Sequence, residues 1–158
     1  MRGKSDFETV IAALNEQRVE FLIIGGYAVV HHGYVRTTED LDIYIRPTPK
    51  NAKRAVRAIA QLGFTGEEIA AEAFTMDNGL SLGVAPMTVD LVAYIPGVDP
   101  EKLWRSRQAG HFGDQDVHFI SREDLIKNKR AIGRAQDLAD VQKLEAARKH
   151  EQKRPRSF

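Results

Sequence analysis

Two short apolar runs separated by a glycine pair constrain this chain more than any other feature. The first, Phe21-Leu-Ile-Ile24, stops abruptly at Gly25-Gly26. The second, Leu41 to Ile45, carries Asp42 within it and Asp40 just ahead of it. Residues i and i+2 of a strand project from one face, about 6.5–7 Å apart along the chain. Asp40 and Asp42 therefore share a face. Two carboxylates so placed repel each other and lose hydration unless a cation sits between them. A glycine pair ahead of them lets backbone N–H groups approach a phosphate closely. The expectation is a site for Mg²⁺ (or Mn²⁺) and a nucleoside triphosphate.

The rest of the chain has to fold around that site. Its 158 residues suffice for one domain with a real core, and 42% apolar and 28% charged residues suit a folded globular protein. The formal net charge of +1 gives no argument for a protein that coats DNA, but it leaves room for a local basic patch. With no cysteine, disulfides, thiolate zinc sites and cysteine nucleophiles are excluded. No apolar run approaches the ~20 residues that cross a bilayer. Met1-Arg-Gly-Lys-Ser-Asp has no apolar segment behind it. The reading is a cytoplasmic protein with no membrane partner.

Periodicity gives the elements. Phe7, Val10, Ile11 and Leu14 mark a helix over 6–17, with Ser5 or Asp6 as its cap. Residues 19–24 read as a buried strand, 27–32 as a short helix ended by Gly33, and 41–45 as the aspartate-bearing strand. Thr48 caps a helix with Pro49 in its first turn and Ala52, Val56, Ile59 and Leu62 as its apolar stripe, ended near Gly63. Residues 80–84 and 89–95 read as strands joined by a turn over 85–88. A helix is expected over 100–109, carrying Trp104, and a strand over 117–120. Ser121 caps a helix to about Ala131, and Gly133 separates it from a last helix over 134–149. Leu138, Val141 and Leu144 form that helix's expected buried stripe. The domain is thus 1–148, and the basic, proline-broken stretch 149–158 reads as a disordered tail.

A two-metal phosphoryl-transfer site needs a third carboxylate from a neighbouring strand. Asp90 is the candidate, because it sits in an otherwise apolar run, where an aspartate needs a partner. Each of these residues has a plainer reading: a solvated strand edge for Asp40 and Asp42, a tight turn for Gly25-Gly26, a satisfied buried carboxylate for Asp90. Arg36 suits either a phosphate contact or a salt bridge to Asp40. Lys127, Lys129, Arg130 and Arg134 suit a solvated helical face. Asp137 and Asp140 suit ion pairs with Lys129, Arg130 or Arg134 that pin the last two helices. Neighbouring His31 and His32 point apart, which favours core or surface roles over metal binding.

Gly25-Gly26, Arg36-x-Thr38-x-Asp40-x-Asp42 and Asp90 together resemble the motifs of the DNA polymerase β-type nucleotidyltransferase superfamily. Within it the chain is most similar to the small AbiEii-like nucleotidyltransferases of bacteria. Gly97-Val-Asp, Trp104 and the stretch from Ser121 to Asp140 extend the resemblance, which covers roughly residues 7–148. It implies an α/β (α+β) fold, a small mixed twisted sheet flanked by helices. It also implies transfer of a nucleoside monophosphate from an NTP to an acceptor. Asp40, Asp42 and Asp90 would then bind metal and act catalytically. Gly25, Gly26, Arg36, Thr38 and Lys129 would contact the nucleotide, Lys129 at the triphosphate. The acceptor stays open among RNA (tRNA in particular), a protein side chain and a small molecule. A role as the toxin of a toxin–antitoxin or abortive-infection system, with a cognate antitoxin, also belongs to that group. One departure stands out: the superfamily motif has Gly-Ser where this chain has Gly25-Gly26. The alternative is a catalytically silent nucleotide-binding or partner-binding module on the same fold.

Overall fold

The computed structural model describes residues 6–64, 74, 79–84 and 87–153. Its elements run α1 (Asp6–Glu16), β1 (Phe21–Ile24), α2 (Gly25–His31), β2 (Leu41–Ile45), α3 (Pro49–Gln61), β3 (Gly79–Val84), β4 (Met87–Val92), α4 (Pro100–Arg105), β5 (Gln108–Phe112), β6 (Gln115–Phe119), α5 (Arg122–Ile132) and α6 (Ala135–Lys153). The six strands form one mixed sheet in the order β3-β4-β2-β1-β6-β5. β2 pairs antiparallel with β1 and parallel with β4, while β1 pairs parallel with β6. Helix α1 packs on α3 and β6. Helix α2 packs on β1, β2 and α5, and α5 packs on α6.

The two apolar runs become the middle of the sheet. Leu22, Ile23, Leu41, Ile43 and Ile45 are fully buried. Their strands are held to α3 by Asn51. The Glu20 amide donates to Asn51 Oδ1 at 2.7 Å, and Asn51 Nδ2 donates to the carbonyls of Glu20 and Arg46, both at 2.8 Å. One buried side chain thereby satisfies the backbone where β1 begins and β2 ends. Thr48 caps α3 as its sequence indicates, accepting from the Asn51 amide, and Ser121 caps α5 by accepting from the Asp124 amide.

Three expectations are corrected. The helix from Pro100 ends at Arg105, and residues 108–112 form the edge strand β5, paired with β6 in a hairpin. The stripe on α6 begins with acids: Asp137, Asp140, Val141 and Leu144 are buried, while Leu138 is 47% exposed. That buried set is spaced i, i+3, i+4, i+7, one helical face, and it turns inward because cations wait there for the two aspartates. Helix α6 also continues to Lys153, so residues 149–153 are helical rather than a disordered tail. Lys-His-Glu-Gln-Lys contains no breaker, and the first proline is Pro155. The remaining tail, the Ser5 cap and the 85–86 part of the expected turn lie outside the described residues. Trp104 is part-buried against the core, with the guanidinium groups of Arg107 and Arg46 over its ring at 4.2 and 5.2 Å. His32 is buried and bonds the Ile120 carbonyl at 2.8 Å, and His31 stacks on Phe119.

Candidate active site

Register builds the site. In the parallel β2–β4 pair Asp42 stands directly beside Asp90. On its other side Asp42 faces Ile24, and Asp90 faces Ser81 across the β3–β4 pair. Ser81 Oγ donates a short hydrogen bond to Asp90, and Thr88 Oγ1 donates to Asp40 at 2.8 Å. Two half-buried carboxylates on adjacent strands disfavour double ionisation. The Asp42 carboxyl is pushed up to about 6, first by burial, then by the charge of Asp90 and a hydrogen bond shared with it, then by Asp40; Lys129 pulls the other way. Among the described residues, no three acidic or histidine side chains close around one point as placed. Asp40 is held at Thr88 and Asp90 at Ser81. The Asp42–Asp90 pair has the chemistry a divalent cation needs: hard oxygen donors with unbalanced charge.

The chain crosses this row at the glycine pair. Gly25 has φ +66°, and a Cβ there would come within 2.3 Å of Asp42 Oδ2. Gly26 sits against the loop after α2, where a Cβ would lie 2.5 Å from Thr38 Oγ1 and 2.7 Å from Arg36 Nη2. The absence of serine at this position thus has a packing cause: Thr38 already fills the space. Gly25, Gly26, Arg36, Asp42, Lys129 and Arg134 line one cleft of about 280 Å³.

The cations of that cleft are organised by α6. Lys129 is 4% exposed and pairs with Asp137 at 3.2 Å and with Asp140 at 3.0 Å. Arg36 pairs with Asp140 at 3.5 Å, so its carboxylate partner is Asp140 and not Asp40. Arg134 donates from Nε to Asp137 at 2.7 Å. The helix-pinning role expected of Asp137 and Asp140 is therefore present, and it draws Lys129 off the solvated face. Burial raises the Asp137 carboxyl, but Arg134 and Lys129 together hold it below its ordinary value. Of the residues expected at the site, Gly25, Gly26, Arg36, Asp42 and Lys129 line this cleft, Asp90 stands beside Asp42 in register, and Thr38 lies against Gly26. The sequence reading missed Ser81, Thr88 and Tyr94. The first two were visible as polar residues within strand patterns next to the aspartates.

No family model matches the sequence, and no curated protein does. Solved structures do match. The lincosamide antibiotic adenylyltransferase LnuA, bound to lincomycin, superposes with a TM-score of 0.58 at 15% identity, covering 89% of this chain and 95% of LnuA. The fold is that of nucleotidyltransferases. The antibiotic-resistance factor ANT(2'')-Ia gives a TM-score of 0.57 at 15% identity over 92% of this chain and 89% of its own. A candidate nucleotidyltransferase from Thermotoga maritima gives 0.56 at 17% identity over 94% and 91%. In each case the likeness covers 89% or more of both chains. No helix among the described residues is long and apolar enough to cross a membrane.

Proposed function

We propose that this protein transfers a nucleoside monophosphate from an NTP to an acceptor hydroxyl. The observation that carries the reading is the pairing of Asp42 with Asp90 on neighbouring parallel strands, with Asp42 lining a cleft that it shares with Gly25-Gly26 and three basic side chains. Gly25 and Gly26 admit the triphosphate close to the backbone. Thr38 Oγ1 stands against Gly26, where a serine side chain would reach, and donates to the Asp40 carbonyl at 3.4 Å. Arg36, Arg134 and Lys129 supply the positive field. Asp42, Asp90 and, once turned from Thr88, Asp40 hold Mg²⁺ or Mn²⁺. Such an ion neutralises the carboxylates and the charge that develops on the phosphates.

The bond changes are simple. The acceptor oxygen attacks the α-phosphorus, and its proton passes to Asp90. The bond from the α-phosphorus to the oxygen bridging to the β-phosphate breaks, and diphosphate leaves with the electron pair. At its motifs the chain resembles the AbiEii-like enzymes, and on that resemblance we extend the proposal to a toxin role countered by an antitoxin. RNA, a protein side chain and a small molecule are the acceptor classes open to the chain.

Calorimetric titration with each NTP in Mg²⁺ and in EDTA tests the site. Metal-dependent binding lost in Asp42→Asn supports it, and metal-independent or absent binding of all four sinks it. Release of labelled diphosphate with total cell RNA then separates turnover from a silent module. Induced expression in a bacterial host, with growth arrest by the parent and none by Asp90→Asn, tests the toxin role.

A further inference from the structure

Beside the cleft lies a second, apolar cavity of about 360 Å³, lined by Tyr44, Pro47, Ala93, Tyr94, Val98 and Leu103 among others. Its volume falls in the range of small-molecule sites, ~300–1,000 Å³. No charged side chain lines it. Tyr94 and Ile95 belong to both cavities, so the two share a wall. Tyr94 is 45% exposed, although the strand leading to it is largely buried. An exposed aromatic between two cavities is a contact surface rather than part of the core.

Position along the strands says what the cavity would hold. β1 and β2 are antiparallel, with Ile24 opposite Asp42 and Leu22 opposite Tyr44. Gly25 therefore lies beyond Asp42 on the Leu41 side, and Tyr44 lies on the other side. Asp42 stands between the glycine pair and the apolar cavity. Tyr44 shares its face, about 6.5–7 Å further along the strand. In phosphoryl transfer the attacking and leaving oxygens are roughly in line through phosphorus. With the leaving diphosphate toward Gly25-Gly26 and Arg36, the attacking oxygen must come from the Tyr44 side.

We propose that this cavity seats the acceptor, and that the acceptor is a small hydroxyl-bearing molecule with an apolar or aromatic body. This rests on the nucleotidyl-transfer reading above. The apolar lining excludes a polyhydroxyl or polyanionic body, since nothing there would pair with its polar groups once they lose water. The Tyr94 phenol, on the wall between the two cavities, is the polar handle that would orient the hydroxyl toward Asp90.

The test uses the full chain, NMR amide resonances, and 2-phenylethanol as the probe, with glycerol as the polar control. Saturable perturbation at Ala93, Val98 and Leu103 by 2-phenylethanol but not by glycerol is expected. Val98→Trp, which fills the cavity, should weaken it at least ten-fold, and Tyr94→Ala serves where that variant fails to fold. ATP with Mg²⁺ should still perturb Gly25 and Gly26 in Val98→Trp. No saturable effect at 98 and 103, or an effect unchanged by both substitutions, overturns the proposal. Displacement of the probe by ATP alone would assign the cavity to the nucleobase and overturn it as well. Binding of a tyrosyl peptide there without binding of 2-phenylethanol would move the acceptor to protein side chains. If the probe binds as expected and ATP with Mg²⁺ perturbs nothing at the glycine pair, the transfer reading fails while the apolar ligand site survives.

Discussion

Two groups of aspartates sit on either side of one cleft, and they differ in what faces them. Asp137 and Asp140 on α6 are fully buried, yet each has cations within ion-pair distance. Asp42 and Asp90 on the sheet are less buried and have each other. Among the described residues, the more buried pair has cations at ion-pair distance, while Asp42 feels only a weaker pull from Lys129. Compensation, more than depth, separates carboxylates that hold a fold together from carboxylates that await a ligand.

The sharpest break of that contrast is in turnover. Asp90→Asn keeps the shape of the side chain and its place beside Asp42. It should reduce nucleotidyl transfer by about 10²–10⁴-fold without lowering the melting temperature. Activity within a factor of two of the parent would put Asp90 with the structural acids.

Next comes the opposite substitution. Asp140→Ala leaves Lys129 buried without one of its two partners, and a broken buried pair costs about 3–5 kcal/mol. Urea denaturation should register that loss. Lys129→Ala should repeat much of it, and should also weaken NTP about ten-fold or more while affecting NMP less, since a lysine at the terminal phosphates has nothing to meet in a monophosphate. Equal weakening of NTP and NMP would confine Lys129 to its ion pairs.

A third outcome has the reverse sign. The Asp42 carboxyl is raised from 3.8 to about 6, so the folded state holds the proton longer than the unfolded chain does. Stability falls as pH rises from about 4 to about 6, and the deficit is complete above that. At 1.36 kcal/mol per pKa unit it is of the order of 2–3 kcal/mol. Asp42→Asn should therefore stabilise the metal-free protein at about pH 8 and have little effect near pH 4. Excess Mg²⁺ should stabilise the parent alone. Equal melting temperatures for parent and variant across that range would show that Asp42 is not under electrostatic stress.

The smallest effect concerns a residue that belongs to both groups. Arg134 has a side chain 73% exposed, yet it lines the cleft and pairs with Asp137. Exposed pairs contribute roughly 0–1 kcal/mol, so Arg134→Ala should scarcely move the melting temperature. A few-fold loss of NTP affinity, read by calorimetry, would assign its charge to the ligand. A stability loss like that of Asp140→Ala would assign it to the scaffold.

Much of this was readable in the chain, for identifiable reasons. Asp-Leu-Asp-Ile-Tyr-Ile alternates with period two, so β2 was bounded at its observed residues, Leu41–Ile45. Thr48-Pro49 is both a cap and a first turn, so the start of α3 was fixed. The edge strand β5 was hidden, since Gln-Ala-Gly-His-Phe carries no alternation and is mostly exposed. Its pairing comes from the neighbouring β6, not from its own composition. The inward turn of Asp137 and Asp140 was hidden too. A hydrophobic stripe drawn through Leu138 cannot see cations delivered by α5 and by the loop at Arg36. At the site the residue types were legible, but the contact between Asp42 and Asp90 depends on register, which no local pattern contains. The holds of Thr88 on Asp40 and of Ser81 on Asp90 follow from the same register.

Gly26 carries a historical consequence. A Cβ there would strike Thr38 Oγ1 and Arg36 Nη2, and the threonine, unlike the arginine, has no length with which to withdraw. Serine at 26 is thus strained on this backbone unless Thr38 turns about χ1 and Arg36 withdraws. The single change Gly26→Ser would lower stability here, and Thr38→Ala, which removes Oγ1, would recover part of that loss. A chain that exchanges glycine for serine at 26 does so most easily after the change at 38.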